Sequence, residues 1–253
     1  MINYYLLTKP GIILGNLITV AAGFLLASKG RIDFGLFLAT LIGLALIMAS
    51  ACVFNNYIDR EIDEKMERTK NRALVTGLIS GYSAILFAIF IGIIGNLILL
   101  LYTNLLTLMA ADVGFFIYVV LYSLWKCRTI YGTAIGSAAG AIPPVVGYCA
   151  VSDHFDVGAL ILFAMMVLWQ MPHFFSIAIW RLNDYAAAKI PVLPINKGML
   201  RTKIHMVFYI LGFILATSVF PVPFFTAKSF LCCTSSASLI VFGKTIRSEF
   251  ACT

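Results

Sequence analysis

An all-α bundle of membrane-crossing helices is what this sequence predicts, on two observations. Of its 253 residues 61% are apolar and 11% charged, a balance that soluble domains do not carry. The apolar residues also fall in runs of about 20, the length a helix needs to cross the hydrocarbon layer. A backbone facing lipid must satisfy its own hydrogen bonds, which leaves helices as the economical choice.

The runs place spans at 10–27, 34–54, 82–101, 105–124, 132–150, 158–180 and 205–225, with a short eighth run at 230–243. Lys9 precedes a long apolar stretch with no small-residue cleavage site before a soluble domain, so the first run reads as a retained anchor. One domain is expected over 1–220, with no soluble appendage and no low-complexity linker.

Basic residues orient the bundle. Arg60, Lys65, Arg68, Lys70 and Arg72 follow span two, Lys126 and Arg128 span four, and Arg181, Lys189, Lys197, Arg201 and Lys203 span six. The other side carries only Lys29, Arg31 and Lys228. The expected topology is multi-pass in the cell inner membrane, with the N-terminus and the charged loops cytoplasmic. The net charge of +7 is thereby gathered on one face, which suits anionic lipid or an anionic substrate. No nucleic-acid reading motif is present. Cys52, Cys127, Cys149, Cys232, Cys233 and Cys252 form no CxxC pair and no metal-site spacing, and read as small buried hydrophobes.

Glycines recur every four residues at Gly132, Gly136 and Gly140, a pattern that lets helices approach closely. Pro143-Pro144 lies in span five and Pro172 in span six. Each removes a backbone donor and is expected to bend or break its helix, and broken helices in membranes line cavities.

The richest polar segment follows span two. On a continuing helix Asn55, Asp59, Asp63 and Glu67 fall four apart and share a face. Like charges so spaced cost about 0.2–0.5 kcal/mol per pair on an exposed helix. A divalent cation removes the conflict, and magnesium takes one or two carboxylates, leaving its other positions to water and substrate phosphate. Arg68 and Arg72, one turn apart, have the guanidinium forks that match phosphate oxygens. The competing reading is a solvated loop of ordinary surface pairs. In span six Gln170, His173, Ile177, Arg181 and Asp184 follow helical spacing, leading from a histidine inside the membrane to an Arg and an Asp at its cytoplasmic end. Two such helix ends on one side describe a site for a magnesium-bound diphosphate above an apolar cavity, the shape of a prenyl diphosphate.

At these residues the sequence resembles the UbiA superfamily of intramembrane prenyltransferases, and within it the protohaem IX farnesyltransferase branch. The signature Asn-Asp-x-x-Asp-x-x-x-Asp is represented by Asn55, Asn56, Asp59 and Asp63, and Arg68-Thr69-x-x-Arg72 resembles the run that follows it in the haem branch. Further similarities lie in Thr8-Lys9-Pro10-Gly11-Ile12, in Gly140 through Gly147, in Trp169-Gln170-Met171-Pro172-His173-Phe174, in Asp184-Tyr185 and in Ile190-Pro191-Val192-Leu193-Pro194. Two departures stand out. The first Asp of the signature is Asn56, and the second acidic motif, Asp-x-x-x-Asp, has Asp184 but Ala188. Members of the superfamily have nine spans; here 221–253 does not resemble the last two and is expected to be an atypical tail, truncated or frameshifted.

The resemblance implies transfer of a farnesyl group from farnesyl diphosphate to protohaem IX, giving haem O. It implies Mg2+ at Asp59, Asp63 and Asn55, with Asn56 assisting. Arg68, Lys70, Arg72, Lys126, Arg128 and Arg181 would neutralise the departing diphosphate, His173 would orient or ligate haem, and Asp184 would assist the head group or proton handling. The implied partners are both substrates, the lipid bilayer, and terminal oxidase assembly or haem-handling proteins. An aromatic quinone precursor is an alternative acceptor. A small transporter is a reading from another class, though it calls for repeated halves and a midplane charged site.

Overall fold

The computed structural model describes residues 2–219. The eighth run at 230–243, the last residues of the seventh span and the 221–253 tail lie outside the described residues. In chain order come α1 (Ile2–Leu7), α2 (Pro10–Ser28), α3 (Phe34–Ile58), α4 (Arg60–Asp63), α5 (Gly81–Tyr102), α6 (Leu105–Phe116), α7 (Ser123–Trp125), α8 (Gly132–Ser152), α9 (Val157–Trp180), α10 (Leu182–Ala187), α11 (Leu193–Lys197) and α12 (Met199–Val219). Ile117–Tyr122 joins α6 to α7 as a stretch of π-helix, so that Leu105–Trp125 forms one span.

Seven helices among the described residues are long and apolar enough to cross a membrane, matching the seven runs in number and, within a few residues, in position. The exception is α12, which starts at Met199 where the hydropathy pattern places the start at 205. Its first turn carries Arg201 and Lys203, both exposed, and long cationic side chains hold the polar boundary of a span without interrupting its helix.

The spans run alternately up and down, so one end of the bundle gathers Lys9, the α3–α5 connection, the α7–α8 turn and the segment between α9 and α12. The opposite turns are short, and Asp33, Asn104 and Asp156 cap α3, α6 and α9 there, accepting from Leu36, Thr107 and Ala159 backbone N–H groups at 3.0, 2.8 and 3.1 Å. At the loop-rich end α2 and α8 begin without a side-chain cap.

Helix α8 is central, packing against α2, α6 and α9, while α3 packs against α5 and α9 against α12. The α2–α8 contact is nearly backbone on backbone. A Cβ on Gly23 would lie 2.1 Å from the Pro144 carbonyl oxygen, and one on Gly147 2.1 Å from that of Val20. The glycine stripe of α8 serves a different neighbour. Cβ atoms at Gly132, Gly136 and Gly140 would meet Lys126 Cα at 2.7 Å, the Tyr122 ring at 3.1 Å and the Gln170 amide at 2.4 Å. It therefore seats the end of the fourth span and a polar side chain of α9.

Neither helix breaks at its prolines: α8 runs on through Pro143 and Pro144, and α9 through Pro172. A span packed on several sides tolerates a missing hydrogen bond, because its neighbours hold the backbone in place. The irregularity falls instead in the proline-free stretch Ile117–Tyr122.

Candidate active site

The site is built where α3 ends. The α3 backbone closes through Asp59 N–H to Asn55 O at 2.9 Å, and Asp63 N–H donates to Asp59 O at 2.8 Å. Helical spacing thus holds from Asn55 through Asp63, and all three side chains are buried, as is that of Asn56. Beyond Asp63 the chain turns: Thr69 Oγ1 donates to Asp63 O at 2.8 Å. Glu67 leaves the expected acidic face, is exposed, and pairs with Lys70 at 2.6 Å.

Both buried carboxylates are paired. Asp59 Oδ2 receives Lys126 Nζ, a contact between residues 7% and 9% exposed. Asp63 Oδ2 receives Arg72 Nη1 at 2.5 Å. The same Arg72 nitrogen reaches Asn56 Oδ1 at 3.1 Å, and Asn56 Nδ2 donates to Leu7 O at 2.8 Å. Asn56 thereby spends both ends of its amide holding Arg72 against α1, a role that an aspartate at this position would fill only in part.

Asn55 is held from three directions. Its Oδ1 accepts from Lys9 Nζ at 2.8 Å and from the Tyr118 hydroxyl at 3.3 Å, and its Nδ2 donates to Ser123 Oγ at 3.4 Å. Lys9 adopts a left-handed backbone, φ 54°, sparsely populated for a residue with a Cβ; Pro10 then starts α2 with its φ already suited to a helix. Burial lowers the Lys9 ammonium to about 8, with Cys52, Asp59 and Asp63 pulling it upward and Arg72 further down. Tyr118 lies in the π-helical stretch, stacked on Tyr122 at 5.7 Å, and Lys126 lies 5.2 Å from the Tyr122 ring centroid.

Asp59 Oδ1 is buried with no hydrogen-bond partner. Such an orphaned carboxylate oxygen, beside a second carboxylate one turn away, fits a hard divalent cation that completes its shell with water and phosphate. Among the described residues no group of three or more His, Cys, Asp or Glu is poised for a metal, so the donor set is this pair with amide oxygens. As the side chains stand, both Asn55 and Asn56 oxygens are engaged by donors.

The second cluster approaches from α9 and α10. Met66 and Ile62 pack with Ala178, Tyr185, Ala188, Ile190 and Val192, which brings the acidic segment against the end of α9. Tyr185 is within electrostatic range of Arg68, Asp184 and Arg181; burial pushes its phenol up and Arg68 opposes that. Arg181 lies 4.0 Å over the Trp180 ring. Arg68, Lys70 and Arg128 are exposed. His173 sits deeper in α9, stacked on Trp169 at 5.3 Å and 13°. Lys9, Tyr118 and Ser123 are site residues that sequence reasoning left out. Position within the resembled Thr8-Lys9-Pro10 motif was the available signal for Lys9, and nothing local marks the other two.

The model of the UbiA prenyltransferase family matches residues 16–248. The chain belongs to this family. Similar UbiA-family relatives include the protoheme IX farnesyltransferase of Protochlamydia amoebophila (strain UWE25), 63% identical over 240 residues, covering 94% of this chain and 85% of the relative. That of Sodalis glossinidius (strain morsitans) is 55% identical over 241 residues, covering 94% and 81%. Among solved structures, a UbiA homolog from Archaeoglobus fulgidus bound to DMAPP and Mg2+ superposes with a TM-score of 0.74 at 16% identity, over 95% of this chain and 86% of the other. A digeranylgeranylglyceryl phosphate synthase superposes at 0.69 with 19% identity, over 94% and 86%. The UbiA fold is thus common to all of them, and the chain is a multi-pass membrane protein.

Proposed function

We propose that the chain transfers the farnesyl group of farnesyl diphosphate to a vinyl group of protohaem IX, giving haem O for terminal oxidases. The observation that carries the reaction class is the pair of buried carboxylates, each bound to a basic side chain, with one carboxylate oxygen unmatched. The acceptor rests on relatives named protoheme IX farnesyltransferase at 53–63% identity.

Asp59 and Asp63 would hold Mg2+ through their oxygens, and Asn55 would join them by giving up a hydrogen bond from Lys9 or Tyr118. Magnesium there supplies Lewis acidity, drawing charge from the carbon–oxygen bond of the diphosphate ester. Lys126 and Arg72, released from their carboxylates, then grip the diphosphate oxygens, with Lys9, Arg68, Lys70, Arg128 and Arg181 adding to the positive field. As the carbon–oxygen bond breaks, the electron pair leaves with diphosphate, and these fixed cations stabilise the developing charge. The terminal carbon of the haem vinyl attacks the allylic cation. Water adds to the carbon beside the pyrrole ring and loses a proton, leaving a hydroxyethylfarnesyl group. His173, stacked on Trp169, orients the haem, and Asp184 assists the head group or takes the proton. The basic loops and the N-terminus face the cytoplasm across the inner membrane, and terminal oxidase assembly or haem-handling proteins receive the product.

The test is to incubate membranes containing the chain with protohaem, farnesyl diphosphate and magnesium, and to follow haem O by mass spectrometry. Product in the wild type that disappears in Asp59→Ala is the expected result. No haem O from an inserted chain, when a curated relative run alongside makes it, overturns the assignment; product from an aromatic acceptor instead would move the chain to quinone chemistry.

A further inference from the structure

Gln170 lies well inside α9, about 15 Å from the helix end at Trp180, and the site described above makes no use of it. It is buried, and its Oε1 has no hydrogen-bond partner among the described residues. The amide head is seated on α8: a Cβ on Gly140 would lie 2.4 Å from Oε1 and 2.5 Å from Nε2, so any larger residue there would displace it. The same glycine stripe fixes its place relative to the charged end. Gly132 carries Lys126, Gly136 the Tyr122 ring and Gly140 the Gln170 amide, one turn after another, and Lys126 is the partner of Asp59. The Gln170 amide is therefore about 12 Å deeper in the bundle than the Lys126 backbone, on the same side of α8, and one turn deeper on α9 than His173.

A buried acceptor without a donor is costly, and inside a membrane bundle it marks a place that a ligand or a water completes. Elimination among the reactants of the proposed reaction, on which this inference rests, identifies the donor. The farnesyl chain has no O–H or N–H, and its diphosphate belongs to the Asp59–Asp63 end. The porphyrin nitrogens ligate iron, and ionised propionates only accept. Water, which adds to the cation beside the pyrrole ring, is the one reactant that brings O–H groups to this depth. We infer that Gln170 holds that water: Oε1 accepts from one of its O–H groups and turns an oxygen lone pair toward the cation. The new carbon–oxygen bond forms from that lone pair, and the extra proton of the oxonium passes to the diphosphate released in the first step. The residue type matters here. An amide oxygen is a far weaker base than a carboxylate or an imidazole, so it orients water without removing a proton from the CH2 next to the cation, the step that would give an alkene in place of the alcohol.

Membranes containing the full chain are given protohaem, farnesyl diphosphate and magnesium, and mass spectrometry resolves the prenylated haems into haem O and the alkene lighter by one water. Gln170→Met, of similar volume and with only a thioether as acceptor, should raise the alkene-to-alcohol ratio about ten-fold, the equivalent of one lost hydrogen bond to the attacking water. Gly140→Ala keeps the amide but drives a methyl group into it, and should move the ratio in the same direction. Where Gln170→Met does not accumulate in the membrane, Gly140→Ala decides alone. A wild-type ratio in the variants that accumulate, with haem O merely formed more slowly, would mean that Gln170 only packs against α8; it overturns the inference and leaves the reaction standing. No haem O from the wild type removes the reaction and the inference together.

Discussion

Lys126 and Asp59 stand 67 residues apart and form one buried ion pair, so each is the main reason the other tolerates burial. Removing one partner leaves an uncompensated charge, which costs about 3–5 kcal/mol at buried sites, whereas replacing both with apolar groups of similar size is often neutral. Lys126→Met should therefore lower the thermal transition in detergent sharply, and Lys126→Met combined with Asp59→Leu should recover most of that loss while remaining inactive. Equal destabilisation in the double variant would show that the pair is not coupled. Asn56 yields a second expectation. Asn56→Asp restores the acidic signature of the superfamily, yet it replaces the donor to Leu7 O with a second acceptor, and an unmatched buried carbonyl costs about 1–3 kcal/mol. The variant should unfold at lower temperature than wild type in the same scan. Local spacing made Asn55, Asp59 and Asp63 legible as one face, since three residues within two helical turns report on each other. It could not assign Lys126 to Asp59, nor find Tyr118 and Ser123, because those contacts depend on how the fourth span packs on α3, and it could not assign Arg72 to Asp63, because that contact depends on how the connection after α4 folds back.

The spans were legible as elements for a simple reason: in lipid an apolar run and a helix are nearly the same statement. Proline misled as a sign of a break. Its lost hydrogen bond is real, but α8 and α9 are held by neighbours along their length, and the helices continue. Glycine pattern was informative about closeness and silent about the partner. Within α2, Gly23 meets the Pro144 carbonyl while Gly15 has nothing within 4 Å of an added Cβ. Gly23→Ala must push α2 from α8, and an overpacked contact costs about 1–3 kcal/mol. Gly15→Ala instead relieves the entropy of a helical glycine, worth roughly 0.5–1 kcal/mol. Thermal unfolding of the two variants should move in opposite directions; a loss of stability at both positions would mean that Gly15 is as closely packed as Gly23.

At the scale of the molecule, function depends on sidedness: the carboxylates, the cations that pair with them and the end of α9 all emerge from the same end of the bundle. Charge counting made that end legible before any helix was placed, because every helix reversal moves the basic loops together or apart. Cys127 reports on it directly. It is exposed beside Lys126, while Cys52 and Cys149 are buried, so with Cys232, Cys233 and Cys252 changed to Ser it should be the thiol that a membrane-impermeant maleimide reaches. Burial raises the Cys127 thiol above its ordinary value and Lys126 partly offsets this, so the thiolate fraction and the labelling rate should climb with pH and go on climbing beyond the range in which an ordinary thiol has ionised. Labelling should occur in inside-out vesicles and not in intact spheroplasts, whereas Ser152→Cys in a Cys127→Ser background, at the opposite end of α8, should show the reverse. The same pattern from both sides would mean the chain inserts in two orientations. A reversed pattern would put the diphosphate site outside the cytoplasm, away from any supply of prenyl diphosphate, and would remove the proposed reaction along with the topology.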